Sequence, residues 1–178
     1  MFPLKKNFIL SNSEEDKFLQ NYLFHTEIPM LPHPGAFGKQ RKNHIHEGVD
    51  IYCEDGDIVY SMEEGVVLMI DAFTGKHAGS PWWADTWHVL VQHKNYVINY
   101  GEIIPSKSIS LGSLVKEGDI LGEVKSVLLK DKGRPRSMLH LEMYTLGTKS
   151  PIGQWGNNDI KPTNLLDPTN ILQEYITN

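Results

Sequence analysis

The chain has 178 residues, enough for one domain with its own core, and its 40% hydrophobic and 22% charged residues are those of an ordinary globular protein. Its net charge of -5 excludes nucleic acid and anionic membrane as main partners, because both demand a basic face. The single cysteine, Cys53, excludes an internal disulfide and a cysteine-rich zinc site, so any metal has to be held by histidine and carboxylate.

The N-terminal stretch MFPLKKNFILSNSEEDKF has two lysines, but only FIL follows them as an apolar run. That is too short for the apolar region of a secretory leader, and no run in the chain reaches membrane-spanning length. The expectation is a cytoplasmic chain, or an exported one whose leader lies outside this sequence. SNSEEDKFLQNYLF has a capping serine, early acids and apolar residues at Phe18, Leu19, Tyr22 and Leu23, which predicts a short amphipathic helix from about Ser13 to Phe24. IPMLPHPGAFG, with three prolines and two glycines, reads as an extended lead-in. Residues 1–36 are thus expected to form a helix and lead-in to one domain over 37–178.

From Gly48 the texture is β. VDIYC, DIVYSM, GVVLMIDAF, HVLVQH, YVINYGEI, ILGEVKSVLL and MLHLEMYTL are short β-branched or aromatic runs bounded by turn residues. Many short strands at close spacing predict an all-β, compact antiparallel sandwich or barrel. GSPWWADTW interrupts the pattern with Trp82, Trp83 and Trp87, which suit either a cover for one end of the sheet or a binding platform. At the C-terminus, LLDPTNILQEYITN predicts a short helix. Asp167 caps it, Pro168 sits in its first turn, and Ile171, Leu172 and Tyr175 lie on one face.

The chemistry concentrates in two places. HIHEGVD, residues 44–50, packs two histidines, a glutamate and an aspartate around a glycine, and it opens a strand rather than a helix. Downstream, period-two alternation in MLHLEMY puts Met138, His140, Glu142 and Tyr144 on one face, so a carboxylate there can serve as an outer partner of His140. With eight histidines in the chain, this spacing alone leaves a metal site and a charged turn both open.

Six segments in order add a resemblance. FGKQRKNHIHEGVDIY, GDIVYSMEEGVVLMI, HVLVQHKNYVINYGEI, LGSLVKEGDILGEV, MLHLEMY and DPTNIL together resemble the lysostaphin and LytM-type zinc endopeptidases, which cut peptide cross-links of bacterial cell walls. The likeness runs from about Phe37 to Leu172 and implies the duplicated-hybrid-motif fold with small terminal helices. It further implies one Zn²⁺ held by His46, Asp50 and His140, and a peptide or peptidoglycan cross-bridge bound in a groove. Two helper histidines of the family are replaced, one by Met138 and one by Glu102. A thioether neither takes nor gives a proton, whereas a carboxylate can, so Glu102 is expected to act as general base toward a water activated by zinc, to reach the metal as a fourth ligand that closes the site, or to be a solvated strand-end acid of an inactive site. Period two would set Glu102 on the strand face of Tyr100. His44 is a spare imidazole, expected at the surface or within reach of the site, and His88 and His93 flank one strand on opposite faces, with at most one of them expected near the metal. Arg41 is expected either to hold a substrate carboxylate or to be a surface arginine. Three functions follow: a zinc-dependent cell-wall endopeptidase or amidase-like hydrolase, a zinc-holding inactive module that binds peptide or protein in the same groove, or a cytoplasmic protein of the same fold with an unrelated small peptide substrate.

Overall fold

A computed structural model of the chain describes residues 1–14, 25–130 and 135–175. Each of the seven apolar runs read from the sequence forms a strand: β4 (Val49–Tyr52), β5 (Ile58–Tyr60), β6 (Gly65–Thr74), β7 (Thr86–Gln92), β8 (Val97–Pro105), β10 (Ile120–Val124) and β11 (Met138–Tyr144). Short strands β3 (His44–Ile45), β9 (Leu114–Val115), β12 (Trp155–Gly156) and β13 (Leu165–Leu166) complete the main domain, and helix α1 (Thr169–Glu174) closes it. The Asp167 carboxylate accepts the Thr169 backbone N–H at 2.8 Å, and Leu172 of α1 is buried in the core. Among the described residues the chain is all-β in character with one short α-helix, at the C-terminal end, as the pattern of runs predicts.

The central sheet has nine strands, with a path β13-β11-β8-β7-β6-β9, β4 on the other edge of β11, and β10 bridging β8 and β5. All its pairings are antiparallel. Alternation divides its side chains between two faces. Val89, Val91, Ile98, Tyr100, Leu139 and Leu141 enter the large core, whereas Leu90, Val97 and Tyr144 join a smaller cluster with Trp155 and Leu165 on the opposite face. Register decides what else lies on that second face. His140 pairs with Gly101, Gly101 also pairs with His88, and Glu142 pairs with Asn99. These polar residues therefore share the face of the smaller cluster, away from the main core.

The lead-in is more structured than its proline content suggests. β1 (Asn7–Ser11) and β2 (His25–Pro29) pair in parallel, and Phe2, Leu4 and Ile28 are buried in the large core. The helix expected over Ser13–Phe24 lies, from residue 15 onward, outside the described residues. After β2 the chain is pinned by backbone and side-chain bonds: Gly35 N–H donates to His33 Nδ1 (2.9 Å), and Asp50 N–H donates to the Gly35 carbonyl (2.9 Å). Those contacts fix the strand that carries Asp50.

Candidate metal centre

His46 lies just before β4, Asp50 is its second residue, and His140 is the third residue of β11. β4 and β11 are paired with Asp50 directly opposite His140, so the sheet register alone brings two of the three together. Gly48 allows the close approach: a Cβ there would lie 2.6 Å from the Leu141 carbonyl oxygen and 2.9 Å from His140 Nε2. Gly48→Ala is accordingly expected to destabilise the fold by about 1–3 kcal/mol, because backbone on one side and a positioned ring on the other must yield. Chemical denaturation of the variant against the parent checks this.

The three side chains are buried. His46 Nε2 is 3.3 Å from His140 Nδ1 and 3.1 Å from Asp50 Oδ1, and His140 Nδ1 is 2.8 Å from the same oxygen. Among the described residues these form the one group of potential metal-binding atoms within 4.8 Å of one another. Bonds of about 2.0–2.2 Å in a tetrahedron separate ligand atoms by about 3.3–3.6 Å, so the triangle needs little opening to accept zinc. The far side of each ring is also occupied: His46 Nδ1 donates to the Ala36 carbonyl (2.9 Å), and His140 Nε2 donates to Glu142 Oε1 (3.3 Å). Such outer bonds fix the tautomer that leaves His46 Nε2 and His140 Nδ1 as donors to a cation. The donor set of two imidazoles and a carboxylate suits zinc and leaves a position open.

The charges fit that purpose. Burial opposes the Asp50 carboxylate, but His46, Arg41 and the hydrogen bond from His140 hold it well below the usual carboxylate range. Burial lowers His46 toward the neutral form that a ligand needs, against Asp50. Burial also opposes a charged His140, yet Asp50 and Glu142 on its two nitrogens raise it well above the ordinary histidine value. In metal-free protein a proton on Nδ1 thus stands where a cation would. Arg41 is committed here: its Nη2 is 2.5 Å from Asp50 Oδ2 and 3.3 Å from the Pro34 carbonyl. The expectation of a substrate clamp or a free surface arginine gives way to an Asp50 partner.

Glu102 reaches the same cleft by a route that alternation does not predict. His88 pairs with Gly101 and Trp87 with Ile103, so Glu102 is the extra residue of a β-bulge, with φ of 62°. Without the bulge it would face the core with Tyr100, whose hydroxyl meets His93 Nε2 and the Met62 N–H, both at 3.1 Å. The left-handed backbone turns Glu102 to the opposite face, where it lines the cleft with His46, Asp50 and His140. The shared face of Tyr100 and Glu102 is therefore a wrong expectation, corrected by the bulge. Its Oε2 is buried without a hydrogen-bond partner. Glu102 is not a member of the close donor group. Burial, with Asp50 beside it, pushes its carboxyl up to about 8, against the pull of His140 and Arg41.

Those shifts set a pH dependence. The folded value of Glu102 exceeds its unfolded value of about 4.5, so its contribution to stability is complete below that value and is lost as pH rises through about 8. His140 acts in the same direction, complete below about 6.5 and lost as pH rises through its raised value. Metal-free protein is expected to melt at a lower temperature at about pH 8.5 than at about pH 6, and Glu102→Gln should reduce that difference. Thermal melts of both proteins with chelator present measure it; an unchanged difference in the variant would refute the assignment.

The cleft above the triad has a volume of about 850 Å³. It is lined by the apolar side chains of Met138, Phe73, Trp83, Val127 and Leu128, and by Lys39, Lys42 and His44. The tryptophan segment divides its roles. Trp83 lines the cleft, Trp82 is exposed, and Trp87 sits on β7 edge-on to His77 with centroids 4.7 Å apart. His93 lies in the core beside Tyr100, whereas His88 faces the site side of the sheet. Asn99 and Phe73 escaped the sequence reading. The signal for Asn99 was available as a lone amide inside the apolar run YVINY, while Phe73 touches His140 (5.4 Å) and His88 (5.7 Å) only because Gly101 leaves room for its ring.

A nine-stranded antiparallel sheet with two histidines and an aspartate lining a cleft is a lysostaphin-like fold. Residues 44–154 match the family model of Peptidase family M23, and the chain belongs to that family. Its fold is shared with the catalytic domain of the antimicrobial peptidase lysostaphin from Staphylococcus simulans (17% identity, TM-score 0.50, 78% of this chain and 89% of that one). It is shared as well with LytU (17%, 0.52, 78% and 82%) and with CbpA from L. salivarius REN (20%, 0.51, 80% and 86%). No curated protein matches the chain. No described helix is long and apolar enough to cross a membrane.

Proposed function

We propose that this chain is a zinc-dependent endopeptidase acting on cell-wall peptide, with His46, Asp50 and His140 as the zinc ligands and Glu102 as the general base. The observation that carries the reading is the buried His46–Asp50–His140 triangle at the foot of an open cleft, in a chain of Peptidase family M23. A zinc held there would supply a Lewis acid, polarising a peptide carbonyl and making water easier to deprotonate. The residues around it have separate tasks. Arg41 holds the second oxygen of Asp50 and leaves the first for the metal. Glu102 offers a half-buried carboxylate whose Oε2 is buried and unpartnered, able to take the proton of an attacking water and pass it to the leaving amine. Phe73, Met138 and Trp83 exclude solvent and receive apolar parts of a peptide.

Met138 favours a second reading. It occupies a helper position and lines the cleft, yet it transfers no proton, so a module that holds zinc and binds peptide without cutting it is the alternative. Incubation with purified peptidoglycan, with and without chelator, separates the two. Chelator-sensitive release of new amino groups is the outcome expected of the endopeptidase. Retention on the cell wall without release is the outcome expected of the binding module.

A further inference from the structure

Behind the metal triad runs a chain of buried hydrogen bonds on the sheet face that carries His140. His88 Nδ1 lies 2.6 Å from Asn99 Oδ1, Asn99 Nδ2 donates to Glu142 Oε2 at 2.7 Å, and Tyr144 donates its hydroxyl to the same oxygen at 2.8 Å. The Ile152 N–H donates to the Tyr144 oxygen at 3.2 Å, which directs the hydroxyl hydrogen toward Glu142. Glu142 Oε1 is left to accept from His140 Nε2 at 3.3 Å. His88, Asn99, Glu142, His140 and Tyr144 are all buried.

The direction of every bond is determined. An amide has one oxygen and one NH₂ at its end, and the Glu142 carboxylate only accepts, so the NH₂ must face Glu142 and the oxygen faces His88, whose Nδ1 then carries the hydrogen. If the amide turned over, its oxygen would meet the carboxylate and two acceptors would oppose each other in a buried site. With Oε2 taken by two donors, Oε1 is the oxygen free to meet the ring, and His140 must offer it an N–H. Its Nδ1 is then the atom that points at Asp50 and His46.

We propose that Asn99, His88 and Tyr144 are positioning residues that hold Glu142, and through it the His140 ring, in the one hydrogen-bond orientation that aims Nδ1 at the metal position. The inference rests on the metal centre proposed above and extends it by two strands of sheet. β7 supplies His88, β8 supplies Asn99, and β11 supplies Glu142, Tyr144 and His140. Gly101 lies between His88 and His140 in the ladder, so the relay passes around it through the side chains.

Zinc affinity measured by chelator competition tests the relay without requiring any activity. Asn99→Leu is expected to weaken zinc about ten- to a hundredfold, the range found when outer partners of a metal-binding histidine are removed. His88→Leu should weaken it in the same direction. His88→Asn should recover most of the loss, because an asparagine NH₂ can donate near the place of Nδ1. Tyr144→Phe should have a smaller effect, since Asn99 still donates to Oε2. The visible spectrum of the cobalt-substituted protein should shift in Asn99→Leu and in His88→Leu, and stay near that of the parent in His88→Asn. Melting of the metal-free proteins is the control: equal affinity with lower melting temperature in the variants would mean that the residues only support the fold, and would overturn the proposal. If Asn99→Leu does not fold, the His88 pair and Tyr144→Phe decide by the same criterion. A parent protein that binds no zinc would sink the metal centre and the relay together. A parent that binds zinc, with variants that bind it equally well, would sink the relay alone.

Discussion

His140→Ala is expected to abolish stable zinc binding: the parent retains about one zinc per chain after dialysis, and the variant retains none. The loss should exceed the about ten- to hundredfold cost of removing an outer partner, because an inner donor disappears and its partner Glu142 is stranded. His46→Ala should behave in the same way. Asp50→Ala should add a loss of stability, because Asp50 accepts from Arg41 and His140 at once. Breaking a fully buried pair costs about 3–5 kcal/mol; with the Arg41 side chain 35% exposed, about 2 kcal/mol is the expected order. The pH dependence of zinc affinity carries a further signature. In metal-free protein the proton on His140 is held by Asp50 and Glu142, and it must leave before Nδ1 can accept a cation. Affinity should therefore keep rising with pH beyond the ordinary histidine range, and binding should release protons into a weakly buffered solution. Metal content by mass spectrometry and proton release by calorimetry in two buffers give both answers. Full zinc content in His140→Ala would remove the assignment.

The strand pattern was legible because each run is short, β-branched and bounded by turn residues, and the seven runs became seven strands. The same alternation set Met138, His140 and Glu142 on one face, and it gave Glu142 its place behind His140. What alternation does not encode is register. That Asn99 lies opposite Glu142, and His88 opposite Gly101, depends on how three strands slide past one another, which no local pattern specifies. The parallel pairing of β1 with β2 escaped for a related reason: it joins segments separated in the chain, and the prolines of the lead-in argue locally against a strand. The charge of Arg41 is legible in the sequence, but its partner is decided by the turn that folds residues 34–41 back over Asp50. The largest departure was Glu102. A rule of period two assigns it to the core face, where a carboxylate would be buried among Tyr100, Leu139 and Leu141. Inserting one residue in the left-handed region is less costly than burying that charge, and it delivers the carboxylate to the cleft.

Glu102→Gln is expected to keep zinc bound at the parent level and to lower cleavage of cell-wall peptide at least about a hundredfold. The amide retains the shape and the buried oxygen and removes the basic site, so the comparison isolates proton transfer. The case for a base rests on position and environment together. Glu102 is turned into the cleft by the bulge, its Oε2 has no partner, and it lies outside the close group of His46, Asp50 and His140. A carboxylate inside that group would have served as a fourth ligand and filled the position that hydrolysis needs. In metal-free protein burial pushes Glu102 up to about 8, and a nearby dication favours its ionised form and draws that value down. The ionised form is the base, so cleavage should fall as pH drops through the value for Glu102 in the loaded protein, which lies below about 8. Glu102→Gln should lack that acidic limb in whatever activity remains. Glu102→Asp is the complementary variant: it keeps the base but withdraws it by a methylene, and should recover part of the lost rate while keeping the acidic limb. Equal cleavage by Glu102→Gln and the parent would show that the proton goes elsewhere. No cleavage by the zinc-loaded parent, with peptide still bound, would leave Glu102 as a recognition group for a cationic end of that peptide, and Met138 as the residue at which proton transfer was lost.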